Sequence, residues 1–405
     1  MAPEIFNLAQ APITSHAFSV DRSQVAVSLN TNDVQIYSRQ GPDWVVTETL
    51  SEHDKLITSI DWAPNSNRIV TASQDRNAYV WQEALDSETG KISWKPTLVL
   101  LRINRAATHV RWSPMEDKFA VASGARAIAI CSFDSENNWW VSKLLKKPIR
   151  STVLAVDWHP NNVLLAAGSA DMKARVFSAY IKEVDERPAA TVWGSKLPFN
   201  TVCGEYASPA GGWVHTVGFS PSGNILAFAS HDSSITVVYP GRATHNIKML
   251  SLPVVTLTWT SEDSIVAAGH DCQPFVFSGS EAGWQKTGSL DDTTAPKSAE
   301  PGRAGYGGSS SVGRLKAGAF ATFRDADSRG QSSISGSGTS SVDSKLLTVH
   351  QNTVTSVRMY EVHGDHVSRV STSGVDGKLV IWDANAIATS DVSTLSTRLG
   401  SAYLR

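Results

Sequence analysis

Two histidines in this sequence stand at similar distances from an aspartate and a tryptophan: His53, Asp75 and Trp81, and again His350, Asp376 and Trp382. An imidazole held by a carboxylate can act as a general acid–base, because the acid fixes the tautomer and steadies the imidazolium. The same groups can equally form a hydrogen-bond network that ties a turn to a strand. Repetition separates the two readings. Asp75, Asp171 and Asp232 fall thirteen residues after Trp62, Trp158 and Phe219, Asp271 falls twelve after Trp259, and Asp376 follows Met359 after a slightly longer loop. Six residues beyond these aspartates come Trp81, Phe177, Val238, Phe277 and Trp382. A constellation copied along the chain is a building principle, whereas an active site usually occurs once. His53, Asp75, Trp81, His350, Asp376 and Trp382 are therefore expected to lock the fold, and no catalytic, cofactor-binding or metal-binding residue is expected.

The anchors of this spacing recur in one phrase: Asp61-Trp62-Ala63-Pro64, Arg111-Trp112-Ser113-Pro114 and Asp157-Trp158-His159-Pro160. Phe219-Ser220-Pro221 repeats it with another aromatic, Trp259 repeats it without the proline, and Phe18 and Met359 fit as weaker first and last copies. Most of these seven anchors stand 40 to 61 residues apart, against roughly 40–45 residues per blade in WD repeats. Segments such as Thr58–Trp62 and Arg68–Ser73 are short, rich in β-branched residues and separated by Pro, Asn and Ser, as strands are. Alternation sends Ile60 and Trp62 to one face, where a neighbouring blade can cover them. The aspartate then sits in the turn before the next strand, where its carboxylate accepts from backbone N–H groups. Blades one and three have Thr31 and Ala125 there, and their turns are expected to be held less tightly.

The pattern predicts an all-β chain, a seven-bladed WD40 β-propeller formed by residues 1–290 and 345–383 as one discontinuous domain. A strand near Glu4 to Ala9 is expected to complete the last blade and close the ring. Residues 384–405 are expected to form a helical tail outside it.

Composition narrows the function. A net charge of -2 and an isoelectric point near 6.6 argue against nucleic-acid binding and against a surface held to membranes by charge. Cys131, Cys203 and Cys272 stand far apart, without zinc-ligand pairs or the count of a disulfide framework. The start, Met1–Phe6, lacks the basic end and long apolar core of a signal peptide, and no apolar run reaches the roughly 18 residues of a membrane span. A cytoplasmic protein is the expectation.

The interval from Trp259 to Met359 is 100 residues, about twice a blade. Its excess, residues 291–344, is built from Gly, Ser, Thr and Ala, a composition expected to stay mostly disordered because it buries too little apolar surface to offset ordering entropy. One island near 312–325 differs. Val312, Leu315, Lys316, Ala319, Phe320 and Phe323 recur at three- and four-residue spacing, which on a helix lines one face with Arg314 and Arg324 beside it. Such a helix could fold back on the propeller, or offer two phenylalanines to a partner's groove. The basic run Lys143, Lys146, Lys147 and Arg150 is expected to be a solvated blade edge.

Two stretches are more specific than a generic blade: Lys146–Gly168, which contains Val156-Asp157-Trp158-His159-Pro160, and Ala174–Pro188, followed by Trp193-Gly194-Ser195-Lys196-Leu197-Pro198. Together with Pro12–Phe18 and Gly374–Asp383 they resemble the WD-repeat subunit of the actin-related protein 2/3 complex, the seven-protein assembly that nucleates branched actin filaments. The resemblance covers nearly the whole chain, including an insert between the last two blades. It implies a non-catalytic scaffold holding the two actin-related proteins, located in the cytoplasm at cortical actin. It further implies an insert helix that contacts the mother filament, and help in engaging nucleation-promoting factors. Carried onto this chain, the contact residues would be Leu315, Phe320 and Phe323 with Arg314 and Arg324. The family pattern of basic residue, Phe, two variable positions, Leu and Asp becomes Ala319-Phe320-Ala321-Thr322-Phe323-Arg324 here, so the apolar part of the contact is the firmer expectation. The alternative, a WD-repeat substrate receptor of a ubiquitin-ligase or chromatin complex, would read its ligand across the central channel.

Overall fold

The protein is described here as a computed structural model over residues 2–85, 90, 92–195, 197–291 and 346–387. These residues form seven four-stranded antiparallel sheets, the blades of a closed propeller. Blades one to six each use four consecutive strands, running from Ser15–Phe18 to Asp43–Ser51 in the first and from Val254–Ser261 to Gly283–Ser289 in the sixth. Blade seven takes three strands from the end of the chain, Val354–His363, His366–Gly374 and Lys378–Asp383, and its fourth from the beginning, Glu4–Asn7.

That exchange closes the ring as the sequence led one to expect. Glu4 pairs with Ile381 and Asn7 with Lys378, and the N–H groups of Leu8 and Ala9 both donate to the Gly377 carbonyl at 3.1 and 3.2 Å. Gly377 has φ +72°, and a Cβ there would collide with the Ala9 carbonyl, so both conformation and space call for glycine. Glu4 also pairs with Arg369 of blade seven and, at 3.2 Å, with Arg39 of blade one.

The core lies between blades rather than at one centre. Val70, Ala72 and Val80 of blade two meet Val110, Trp112 and Phe119 of blade three, and the same arrangement recurs around the ring. The alternation that builds each strand thus gives it two buried faces, one per neighbour. Full burial of side chains such as Phe119, Phe177, Phe228 and Phe277 stabilises by about 1.5–3 kcal/mol each. The anchor tryptophans pack edge-on against an outer-strand ring, Trp62 on Trp94 at 5.6 Å, Trp112 on Trp140 at 5.8 Å and Trp259 on Trp284 at 5.5 Å.

The last anchor needs correction. Met359 is 51 % exposed, while Tyr360 is buried and packs on Phe18 at 5.0 Å. The pairing of Val354–His363 shifts register between Met359 and Glu361, and a one-residue shift sends the next side chain to the core face. Of the proposed tail, the described residues 384–387 begin with a turn in which the Ala386 N–H donates to Asp383 O at 3.2 Å. The remainder lies outside the described residues, as does the island at 312–325.

One feature went unread in the sequence. Between Lys173–Ser178 and Val202–Ala207, blade four carries a long excursion in place of a tight hairpin. Its Trp193 is buried, packs on Phe219 of blade five at 5.6 Å and donates from Nε1 to Gly223 O at 2.8 Å. Its Asp185 receives Lys118 of blade three at 2.5 Å, with both side chains almost wholly buried. Burial holds the Lys118 ammonium below the usual lysine value, and Asp185 pulls it back upward.

Candidate interaction site

The repeated aspartates converge on one task. Asp75 accepts from the N–H groups of Asp54 at 3.2 Å and Asn77 at 2.9 Å, Asp171 from Arg150 at 2.9 Å, Asp232 from Ala210 at 3.3 Å, Asp271 from Leu252 at 3.0 Å and Asp376 from Gln351 at 2.8 Å. Each carboxylate therefore staples the loop entering its blade to the turn between the second and third strands. In blades two and seven a histidine extends the staple inward. His53 Nδ1 lies 2.7 Å from Asp75, its Nε2 2.8 Å from Thr71 Oγ1, and Trp81 Nε1 donates to that same hydroxyl at 3.0 Å. His350 lies 3.0 Å from Asp376 and 2.8 Å from Thr372 Oγ1, to which Trp382 Nε1 donates at 2.7 Å.

The structure thus brings all six residues together as two sets of three, joined through a threonine that sequence reasoning did not include. Both ring nitrogens of each histidine are engaged, and neither ring reaches solvent. Burial lowers the His53 pKa against the opposing pull of Asp75. For Asp376, burial pushes upward, but the hydrogen bond and charge of His350 bring the carboxyl below its usual value. A ring with no free nitrogen and no exposed edge cannot exchange a proton with a substrate. Blade three, without the aspartate, ties its turn to the entering loop through the backbone, the Gly124 N–H donating to Ala106 O at 2.9 Å, while Ser123 Oγ donates within the turn to Ala127 O at 2.7 Å.

The residues expected to touch partners, Arg314, Leu315, Phe320, Phe323 and Arg324, lie outside the described residues. Their stems do not. Asp291, at the end of blade six, accepts the Val349 N–H at 2.6 Å, and Gln351 accepts the Leu346 N–H at 2.9 Å. The segment therefore leaves and rejoins the ring at one point, the seam between blades six and seven.

A second group lines the central channel, a space of about 690 Å³. Arg358 of blade seven reaches across to blade two, pairing with Asp61 Oδ1 at 2.7 Å and donating to Ile60 O at 2.6 Å. Arg111 of blade three reaches the same carboxylate at 3.3 Å, and the Trp112 N–H donates to it at 2.8 Å. Asp157 accepts the Phe219 N–H at 2.9 Å; burial pushes its carboxyl up to about 6, against the opposing charge of Arg111. His16, between Ser373 and Ser371 at 2.8 and 2.9 Å, is driven down to about 3 by burial, and His109 likewise. The one sequence signal for this group was position: Asp61, Arg111 and Asp157 each precede an anchor tryptophan. Asp61, Arg111 and Arg358 engage one another across three blades, which suits a brace between blades better than a reaction centre. Among the described residues, no three His, Cys, Asp or Glu side chains converge in a group able to hold a metal.

The outer surface is different. Ile92, Leu98 and Leu100 on the outermost strand of blade two are exposed, as are Leu85 at the end of the strand beside it and Phe133 and Trp139 of blade three. Apolar side chains gathered on outer strands favour contact with another protein over solvent.

A family model described as "WD domain, G-beta repeat" matches residues 44–82, 143–178 and 341–383. The chain is 50 % identical over 391 residues to "Actin-related protein 2/3 complex subunit 1" of Schizosaccharomyces pombe, covering 94 % of this chain and 98 % of that protein. It is 49 % identical over 375 residues to "Actin-related protein 2/3 complex subunit 1A-B" of Xenopus laevis, covering 92 % of this chain and 94 % of the other. Its identity to the Saccharomyces cerevisiae subunit 1 is 38 % over 386 residues, covering 93 % and 96 %.

Proposed function

The chain belongs to the actin-related protein 2/3 complex subunit 1 family, and on that premise we propose that it is a non-catalytic scaffold subunit of the complex, supporting nucleation of branched actin filaments in the cytoplasm. The likeness over more than nine tenths of both chains carries the reading. The physics of the ring supports it. A closed propeller whose polar groups are engaged between blades offers a rigid body, and rigidity lowers the entropy lost on assembly. Its exposed apolar outer strands supply surface for neighbouring subunits.

Within that reading, the insert contacts the mother filament or nucleation-promoting factors through Leu315, Phe320 and Phe323, with Arg314 and Arg324 alongside. Pinned stems at Asp291 and Leu346 favour this, since a segment tethered at one point can extend without loosening the propeller. The test is purification of the tagged full-length chain from its own cells. Stoichiometric recovery of both actin-related proteins supports the proposal; recovery of ubiquitin-ligase or chromatin components instead would overturn it.

A further inference from the structure

Blade three departs from the repeat at its turn. Where blades two, four, five, six and seven have an aspartate, it has Ala125, followed by Arg126 in the left-handed conformation at φ 57°. Arg126 and Arg105 of blade three face Arg150 of blade four across a recess of about 750 Å³, which Thr108, Ser151 and Thr152 also line. All three arginines are exposed, and none of their side chains makes a hydrogen bond or ion pair with another described residue. Asp171, the acid beside Arg150, is already held by Arg175 at 2.9 Å and by the Arg150 backbone N–H. Three like charges around one concavity repel one another and draw in an anion.

The lining restricts which anion. It contains no aromatic ring on which a nucleotide base could stack and no large apolar side chain to receive a peptide anchor or enter a bilayer. The volume lies within the roughly 300–1,000 Å³ of ordinary small-ligand clefts. Planar guanidinium forks match phosphate oxygens two at a time, and hydroxyls complete such a shell. We propose that this recess binds a polyphosphorylated polyol of the inositol-phosphate type, with Arg105, Arg126 and Arg150 each engaging a phosphate. The headgroup chemistry is shared by a soluble metabolite and a membrane lipid.

The experiment titrates inositol hexakisphosphate into the full-length chain by calorimetry at physiological salt, alongside capture on phosphatidylcholine vesicles carrying phosphatidylinositol 4,5-bisphosphate. One-to-one binding is expected, weakening steeply with added salt. Arg126→Ala combined with Arg150→Ala should weaken it by more than tenfold, whereas Arg242→Ala on blade five, in a pair with Glu281 of blade six, should leave it unchanged. The thermal midpoint of each variant is read in parallel, and Arg105→Ala alone gives the same comparison should the double variant lose stability. Soluble binding without vesicle capture identifies a metabolite; vesicle capture displaced by inositol hexakisphosphate identifies the lipid headgroup, and both support the site. No binding of either probe, or binding that survives in the arginine variants, overturns it.

Discussion

Replacing Asp185 with alanine tests the bond that holds the blade-four excursion to the ring. In the native chain this carboxylate receives Lys118 Nζ at 2.5 Å, Asn162 Nδ2 at 3.1 Å and the Ile181 N–H at 2.7 Å. Lys118 has no exposed side-chain surface; the other described hydrogen bond of its ammonium is to Asn162 O at 2.9 Å, and the Trp158 ring lies 5.2 Å away. Removing one member of a buried ion pair leaves the other charge uncompensated, which costs about 3–5 kcal/mol. The loss is read by urea unfolding of the full-length chain, followed by tryptophan fluorescence. Lys118→Met with Asp185→Asn removes both charges while retaining a carbonyl acceptor for Ile181. Paired deletion of buried ions is often close to neutral, so the double variant should regain most of the stability lost by Asp185→Ala. A loss below about 1 kcal/mol for Asp185→Ala would refute the reasoning, since that is the size expected of a solvated pair. Failure of the double variant to recover would show that geometry, not charge, sets the cost.

Asp75→Ala should destabilise by roughly 1–3 kcal/mol through the unpaired His53 ring and two orphaned N–H groups, measured by thermal unfolding; unchanged stability with lost partner binding would make Asp75 a functional residue. Acidification should destabilise the propeller. His16 and His109 fall to about 3 when folded, so their contribution is complete above about 6.5, the unfolded value, and is lost as pH drops toward 3. Asp157, raised to about 6, has the opposite sign, its contribution being present at low pH and lost as pH rises through 6. His159 and His215, lowered to about 4 by burial, act with the sign of His16 and His109, so urea midpoints should fall between pH 6.5 and 4, and His16→Gln should flatten the slope; a flat wild-type profile would contradict the buried neutral rings. Phe320→Ala with Phe323→Ala should cut filament-branch density with subunit stoichiometry intact, because paired aromatic anchors carry about 2 kcal/mol or more, over tenfold in affinity; normal branching would remove the docking role.

The blades were legible in the sequence because strand alternation, turn chemistry and anchor spacing are local properties that each repeat states again. That is why Asp75 and Asp376 could be assigned to turns, and why Glu4–Asn7 could be expected as the fourth strand of blade seven. Where a local irregularity entered, the reading slipped by one residue, from Tyr360 to Met359. Thr71 and Thr372 share one offset, four residues before the aspartate, but blades four, five and six have Ala167, Phe228 and Ala267 there, so two copies set no period along the chain. The interactions between blades were decided only by tertiary structure. Arg358 reaches Asp61 across the channel, Lys118 reaches Asp185 in an excursion of the next blade, and Arg105 and Arg126 meet Arg150 across a seam. Each joins residues on different blades, and their approach depends on how the ring closes. Electrostatic energy follows distance in space, and periodicity along the chain carries no record of it.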